Sequence, residues 1–480
     1  MPEKEKTEAE KLADKLLFTL KNSWEAVDET AEAKIENFAQ EYKQYLDNGK
    51  TERECVDITI KLLESCGFVN VDTVSGEGKG EGLNLAAGTK IYQNIRGKSL
   101  IACIIGKKSA AEGFNILGAH IDSPRLDLKQ NPLYEDSDFA LLDTHYYGGI
   151  KKYQWTAIPL AMHGVFITAD GKKITCKIGE EPGEPVFTVT DLLPHLAKEQ
   201  MDKKLSEAVE AENLDILAGS RPYIDKEAKD KVKLKTLELL HKKYGITEKD
   251  FARAEIEFVP AFKASDVGFD CSMVGAYGQD DRSCAFPAIK TLEAVAQSNN
   301  IPEKTIVLYL SDKEETGSAG NTGARSVNFE NFISFLCSSE KEKRLCCSRS
   351  SMLSADVNAA FDPTYSGVFD KKNSSYMGKG IALSKYTGSG GKYGASDANA
   401  EFCAKVQNIL DTDKVPWQFG ALGKVDKGGG GTIALYAANL GMEVLDCGVP
   451  TLSMHSPFEV TSKVDLFNTY RAYMAFVSKA

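Results

Sequence analysis

Apolar residues recur at helical spacing along the first part of the chain: Leu12, Leu16, Leu17 and Leu20, then Phe38, Tyr42 and Tyr45, then Val56, Ile60 and Leu63. This pattern predicts helices across positions 8–66, with Gly67 as a C-cap. At positions 90–95, 99–106 and 114–120 the character changes to short continuous apolar runs, the mark of strands covered on both faces. Such runs return at 304–310 and 441–447, separated by helical patterns that include 280–297 and 432–440. Between them, from about 132 to 259, strand-like pieces at 164–168 and 173–178 lead into a heavily charged stretch at 197–253. The expected architecture is α/β, with a mixed central sheet flanked by helices in one domain split into 1–132 and 260–480. An inserted, mainly β domain at 133–259 divides the two halves and is expected to serve dimerisation and higher assembly.

Composition narrows the setting. A chain of 480 residues exceeds one ordinary core, and its hydrophobic and charged fractions are those of a soluble globular protein. A net charge of −11 argues against nucleic acid or an anionic membrane as partner. Positions 1–10 are polar and acidic, so no export signal is expected, and no apolar stretch approaches the roughly 18 residues of a membrane span. The 11 cysteines are scattered, with no Cys-x-x-Cys and only Cys346 and Cys347 adjacent, which suits a reducing cytoplasm better than a disulfide frame.

The candidate chemistry lies where predicted elements end. The apolar run at 304–310 stops at Asp312, Glu314, Glu315 and Gly317, as a core strand delivering acids to a sheet rim would, although a solvated acidic turn reads the same way. His120 closes another apolar run with Asp122 two residues on, a spacing that can set an imidazole on a metal and a carboxylate behind its ring. Asp280 and Asp281 precede an apolar helical run, Asp356 follows the short run at 351–355, and His455 and Glu459 follow the strand-like 449–452. Singly, each suits a helix cap or a rim salt bridge. Jointly they offer two imidazoles and at least three carboxylates without cysteine, the donor set of a hydrolytic metal site. Five such ligands are too many for one open catalytic zinc and suit two ions about 4 Å apart sharing a carboxylate.

As an ordered set, the motifs at 118–124, 278–282, 314–318 and 453–459 resemble the M18 family of metallo-aminopeptidases, in particular the bacterial branch of the aspartyl aminopeptidase group. The resemblance implies a zinc-exopeptidase type of fold and removal of N-terminal residues from peptides. It implies two divalent ions, zinc first with cobalt or manganese acceptable, and self-association of dimers into closed dodecamers. Carried over, His120, Asp280, Glu315, Asp356 and His455 become metal ligands. Asp280 bridges, with Asp281 as the alternative register, and Asp122 holds the His120 ring. Glu314 becomes the general base, a carboxylate close to the metal-bound water but not ligated. His195, in Leu193-Pro194-His195-Leu196, is implied to reach a neighbouring subunit's active site, the competing reading being a solvent-facing histidine. Asn358 stands where relatives often carry a histidine, so that role does not transfer.

The glycine-rich segments 387–394 and 428–431 fit no phosphate-binding pattern and are expected to approach substrate backbone closely. Lys385 is a candidate partner for an acidic substrate side chain, and His145, His163 and His241 are expected to be structural. Two other classes compete: a di-metal amidase or deacylase of N-acyl amino acids, and a non-catalytic scaffold on the same fold.

Overall fold

The computed structural model describes residues 6–74, 85–298 and 300–480. Its centre is a nine-stranded mixed sheet whose middle strands, in the order Ile306–Ser311, Asn115–His120, Ser351–Ala355 and Glu443–Gly448, run parallel. Antiparallel strands Lys90–Ile95 and Ser99–Ile104 extend one side, and Ile381–Ser384 turns antiparallel on the other. The continuous apolar runs have the expected cause. Ile306, Leu308 and Leu310 enter the core on one face of the sheet, while Val307 and Tyr309 enter the core on the other.

Helices Glu29–Asn48, Glu52–Ser65, Gln279–Gln297 and Lys463–Lys479 cover the first face. Asn328–Leu336, Glu340–Arg349 and Ala434–Asn439 cover the second. The N-terminal helical reading divides at a 3-10 turn, Ser23–Ala26, and the helix before it, Glu8–Leu16, keeps Leu12 and Leu16 exposed.

A second, six-stranded antiparallel sheet with its own core holds Arg125–Asp136, Phe139–Tyr147, Leu160–Ile167, Lys173–Ile178, Ile216–Gly219 and Ala254–Pro260. The chain enters it at Arg125, ahead of position 133, and leaves it at Pro260. Within the charged stretch lies the helix Lys231–Tyr244. Buried polar contacts tie this sheet to the N-terminal helical segment: Arg125 to Glu52 at 3.4 Å, Lys50 to Glu180 at 2.7 Å, and His163 to Glu54 at 2.8 Å.

A third, five-stranded sheet of two- to four-residue strands joins Met273–Ala276, Pro450–Leu452 and Glu459–Ser462 beside the main one. No helix among the described residues is long and apolar enough to cross a membrane, and all eleven cysteines are free thiols.

Candidate active site

Three parallel strands end at one edge of the main sheet and deliver side chains there. In register, Ser311 lies beside His120, and Ser354 lies beside Gly118. The carboxyl ends therefore align, as at ligand sites of open α/β sheets. His120 is the last residue of its strand, and Asp356 follows Ala355 directly. Beyond Ser311 the chain turns through Lys313 at φ 63° and Gly317 at φ 83°, and the 3-10 turn between them carries Glu314 and Glu315. Asp280 enters at the start of the helix Gln279–Gln297, and the Asp280–Asp281 peptide is cis. His455 comes from the loop between the last two strands of the third sheet.

These placements converge on Asp280. Its Oδ1 lies 3.1 Å from His120 Nε2 and its Oδ2 lies 3.2 Å from His455 Nε2, while Glu315 Oε2 lies 3.4 Å from the same His455 nitrogen. Asp281 turns away, its Oδ2 accepting the His120 backbone N–H at 3.3 Å, so Asp280 is the acid that faces both rings. Donor atoms of His120, Asp280 and Glu315 lie within 4.8 Å of one another, as do those of His120, Glu314 and Asp356.

The tautomers of both rings follow from their outer partners. His120 Nδ1 faces the Asp122 carbonyl at 3.1 Å, and His455 Nδ1 faces the Gly149 carbonyl at 2.9 Å. A carbonyl only accepts, so Nδ1 carries a proton in each ring and it is Nε2 that faces the Asp280 carboxylate. Lone pair against carboxylate is repulsive unless a proton or a cation lies between.

The charge balance points the same way. Burial pushes His455 down, but its hydrogen bond to Asp280 and the charge of Glu315 reverse this and hold it up at about 10. Burial raises Asp280, yet the two histidines bring it well below the usual carboxylate range. Burial, followed by neighbouring acids, pushes Glu315 and Asp356 far up and Glu459 to about 8. Burial pushes Glu314 to about 7. Glu315 Oε1 and Asp281 Oδ1 are buried without hydrogen-bond partners. Carboxyl groups thus outnumber imidazoles in a buried space, and divalent cations fit this donor set.

The cluster opens into a cavity of about 610 Å³ that is also lined by glycines of both glycine-rich segments, among them Gly388, Gly390 and Gly428. Asn358 also lines it and is fixed by Ser384 at 2.9 Å and Ser375 at 2.6 Å. His195 does not: it sits on an exposed turn away from its own chain's cavity. Lys385 is paired with Asp397 at 2.5 Å and does not line the cavity either. His163 is buried against Glu54, and His241 donates to the Ile246 carbonyl at 2.9 Å.

Sequence reasoning left two contributors without a role. Glu459 accepts the backbone N–H of Asp280 at 3.0 Å and of His455 at 2.7 Å, so one carboxylate locks two donors of the cluster in place. Its position four residues after His455 was the available signal. Tyr147 donates its hydroxyl to Asp122 Oδ2 at 2.7 Å, and no motif announced it.

Imidazoles and carboxylates at the carboxyl edge of a parallel sheet, open to a cavity, define a metal-dependent hydrolase of the α/β class. Residues 45–477 match the family described as Aminopeptidase I zinc metalloprotease (M18). The chain is 50% identical over 468 residues to a probable M18 family aminopeptidase 1 of Clostridium acetobutylicum, covering 96% of this chain and 99% of that one. It is 46% identical over 451 residues to the corresponding Thermotoga maritima protein, at 93% and 96% coverage. The crystal structure of an M18 aminopeptidase from Thermotoga maritima superposes with a TM-score of 0.90 at 44% identity, covering 97% of this chain and all of that one. The S. cerevisiae mApe1 dodecamer shares the fold, with a TM-score of 0.72 at 21% identity over 91% of this chain and 95% of that one. The chain belongs to the M18 family of zinc metallo-aminopeptidases, hydrolases that free N-terminal residues from peptides. The expected fold class and family are thereby borne out, and neither the N-acyl amidase nor the idle-scaffold reading is favoured.

Proposed function

We propose that the cluster holds two divalent ions, one between His120, Asp356 and Asp280 and the other between His455, Glu315 and Asp280, with Glu314 as general base. The observation that carries this is the Asp280 carboxylate, which presents one oxygen to each imidazole at 3.1 and 3.2 Å. Glu314 also stands within ligand reach of His120 and Asp356. Both glutamates line the cavity, and we assign proton transfer to Glu314 because Glu315 is the one turned onto His455, at 3.4 Å, with its other oxygen buried and unpartnered. Zinc is the ion the family's description carries, and the same donors accept cobalt or manganese.

Bound there, divalent ions lower the pKa of water and polarise a scissile carbonyl. Glu314 takes the proton of the attacking water and returns it to the leaving amine. Asp122 fixes the His120 ring from behind, and Glu459 fixes the backbone of Asp280 and His455. The glycines lining the cavity let a peptide backbone lie close.

We place the enzyme in the cytoplasm on its free thiols, and assign assembly to the inserted unit at 133–259, with dimers built into a dodecamer. Support for such an interface comes from the turn bearing His195, where Leu192, Leu193 and Leu196 stand 52%, 50% and 69% exposed. Across that interface His195 supplies a donor to the substrate carbonyl in the neighbouring active site.

A matched pair of peptides tests the reading, one with a free N-terminus and one acetylated, each incubated with protein whose metal content is known. Release of the first residue only from the free peptide, by protein carrying about two ions per chain, is expected. Equal cleavage of the acetylated peptide contradicts it.

A further inference from the structure

Tyr147 ends the strand Phe139–Tyr147 of the second sheet, directly across from Arg125. The Arg125 guanidinium lies over its ring, 3.9 Å from the centroid. Arg125 is itself buried and held by Glu52 at 3.4 Å, Asp127 at 2.8 Å and Glu257 at 3.2 Å. The ring is therefore clamped by a cation that cannot swing away, and its hydroxyl is aimed at Asp122 Oδ2, 2.7 Å off. Burial, then the Asp122 charge, pushes the phenol far above its ordinary value, so it stays a donor throughout the working pH range.

Asp122 receives more than this one bond. Its Oδ1 accepts the Glu314 backbone N–H at 3.1 Å and faces His120 Nδ1 at 3.4 Å, while its Oδ2 also accepts the Glu315 N–H at 3.2 Å. With Tyr147 in place, Oδ2 accepts two hydrogen bonds and Oδ1 accepts one while facing the His120 ring, which holds the carboxylate in one orientation. That orientation fixes the His120 ring and the turn carrying both glutamates. The two residues after Tyr147 reach the same centre. A Cβ on Gly148, which has φ +75°, would lie 3.3 Å from Glu315 Cβ, and the Gly149 carbonyl accepts the His455 Nδ1 proton.

We propose that Tyr147 is a positioning residue of the metal centre: it acts through Asp122 on His120 and on the Glu314–Glu315 turn, while Gly149 orients His455. The second sheet thereby sets the geometry of a site built on the first. The inference rests on the metal-centre reading above.

Tyr147→Phe keeps the ring beneath Arg125 and removes only the hydroxyl. The full-length variant is compared with wild type, Asp122→Asn and the double variant for zinc affinity by chelator competition, for kcat and KM, and for the melting temperature of metal-free protein. Tyr147→Phe is expected to bind zinc about tenfold or more weakly. Its kcat is expected to fall with KM little changed, and the metal-free protein to melt as wild type does. In the Asp122→Asn background the same change is expected to add less than about twofold, because the two residues act as one unit.

Unaltered zinc affinity and kcat in Tyr147→Phe overturn the inference. So does a lowered melting temperature with metal affinity intact, or a full further loss on top of Asp122→Asn. A wild-type chain that binds no divalent ion overturns the metal-centre reading as well, whereas an indifferent Tyr147→Phe in a metal-binding wild type overturns this inference alone.

Discussion

Asp280 is the residue on which the site turns, and its neighbour shows how local the assignment is. The doubled Asp280-Asp281 left the register open in the sequence because either acid can precede the helix, and only side-chain direction separates them. His120, Asp122, Glu314, Glu315, Asp356 and His455 were legible because each ends an apolar run. Glu459 was visible as a candidate but its role was not, and Tyr147 was not visible at all, because a carboxylate accepting backbone N–H groups and a phenol capping a carboxylate leave no periodic trace. Glu459→Gln replaces one of two accepting oxygens with a donor facing an N–H, so zinc affinity is expected to fall about tenfold or more, read by calorimetric titration. Glu314 must be ionised to accept a proton. Burial pushes it to about 7, and neighbouring dications draw it lower. The kcat/KM profile is therefore expected to rise with pH along an acid limb below about 7 and then level off. An acid side that stays flat down to about pH 5 counts against Glu314 as the base.

At the scale of elements, the two-sided strands could be read because burial on both faces writes continuous apolar runs, and they fell where expected. The third sheet could be read only at 449–452. Its other strands of two to four residues, among them Asn358–Ala359 and Met273–Ala276, are too short to show any period, so the sheet that carries the His455 loop was not visible as a sheet. The entry into the second sheet at Arg125 was equally hidden, since Leu126 and Leu128 alternating with Arg125, Asp127 and Lys129 read as loop or strand alike. The turns into the site depend on left-handed backbone. Gly148→Ala demands φ +75° of an alanine and sets its Cβ against Glu315, so a loss of about 1–2 kcal/mol by thermal unfolding is expected, together with weaker zinc binding.

For the whole molecule, the second sheet meets the helix Glu52–Ser65 through a buried knot of charge, in which Arg125 binds both Glu52 and Glu257. Removing one member strands its partner, so Arg125→Leu is expected to cost about 3–5 kcal/mol of stability by chemical denaturation. A second buried charge gives a pH signature. Burial pushes Asp446 to about 7 against an ordinary value of 3.8, the Thr432 hydroxyl only partly offsetting it. Between those values the unfolded chain has released a proton that the folded chain keeps, so this group's contribution to stability declines as pH rises from about 4 to 7. Asp446→Asn removes the decline, and its melting temperature is expected to exceed that of wild type by several degrees at about pH 8, the gap closing towards pH 4. The α/β class and the site's place on it were legible from alternating element types and their ends. How the second sheet reaches back to the metal centre was not, because that contact joins residues that no periodicity relates.

The division of labour between adjacent glutamates is tested most directly by measuring zinc content and turnover together on Glu314→Gln protein. About two ions per chain with peptide hydrolysis reduced by about two to four orders of magnitude is the expected result. Hydrolysis at near wild-type rates, or loss of one of the ions, contradicts it.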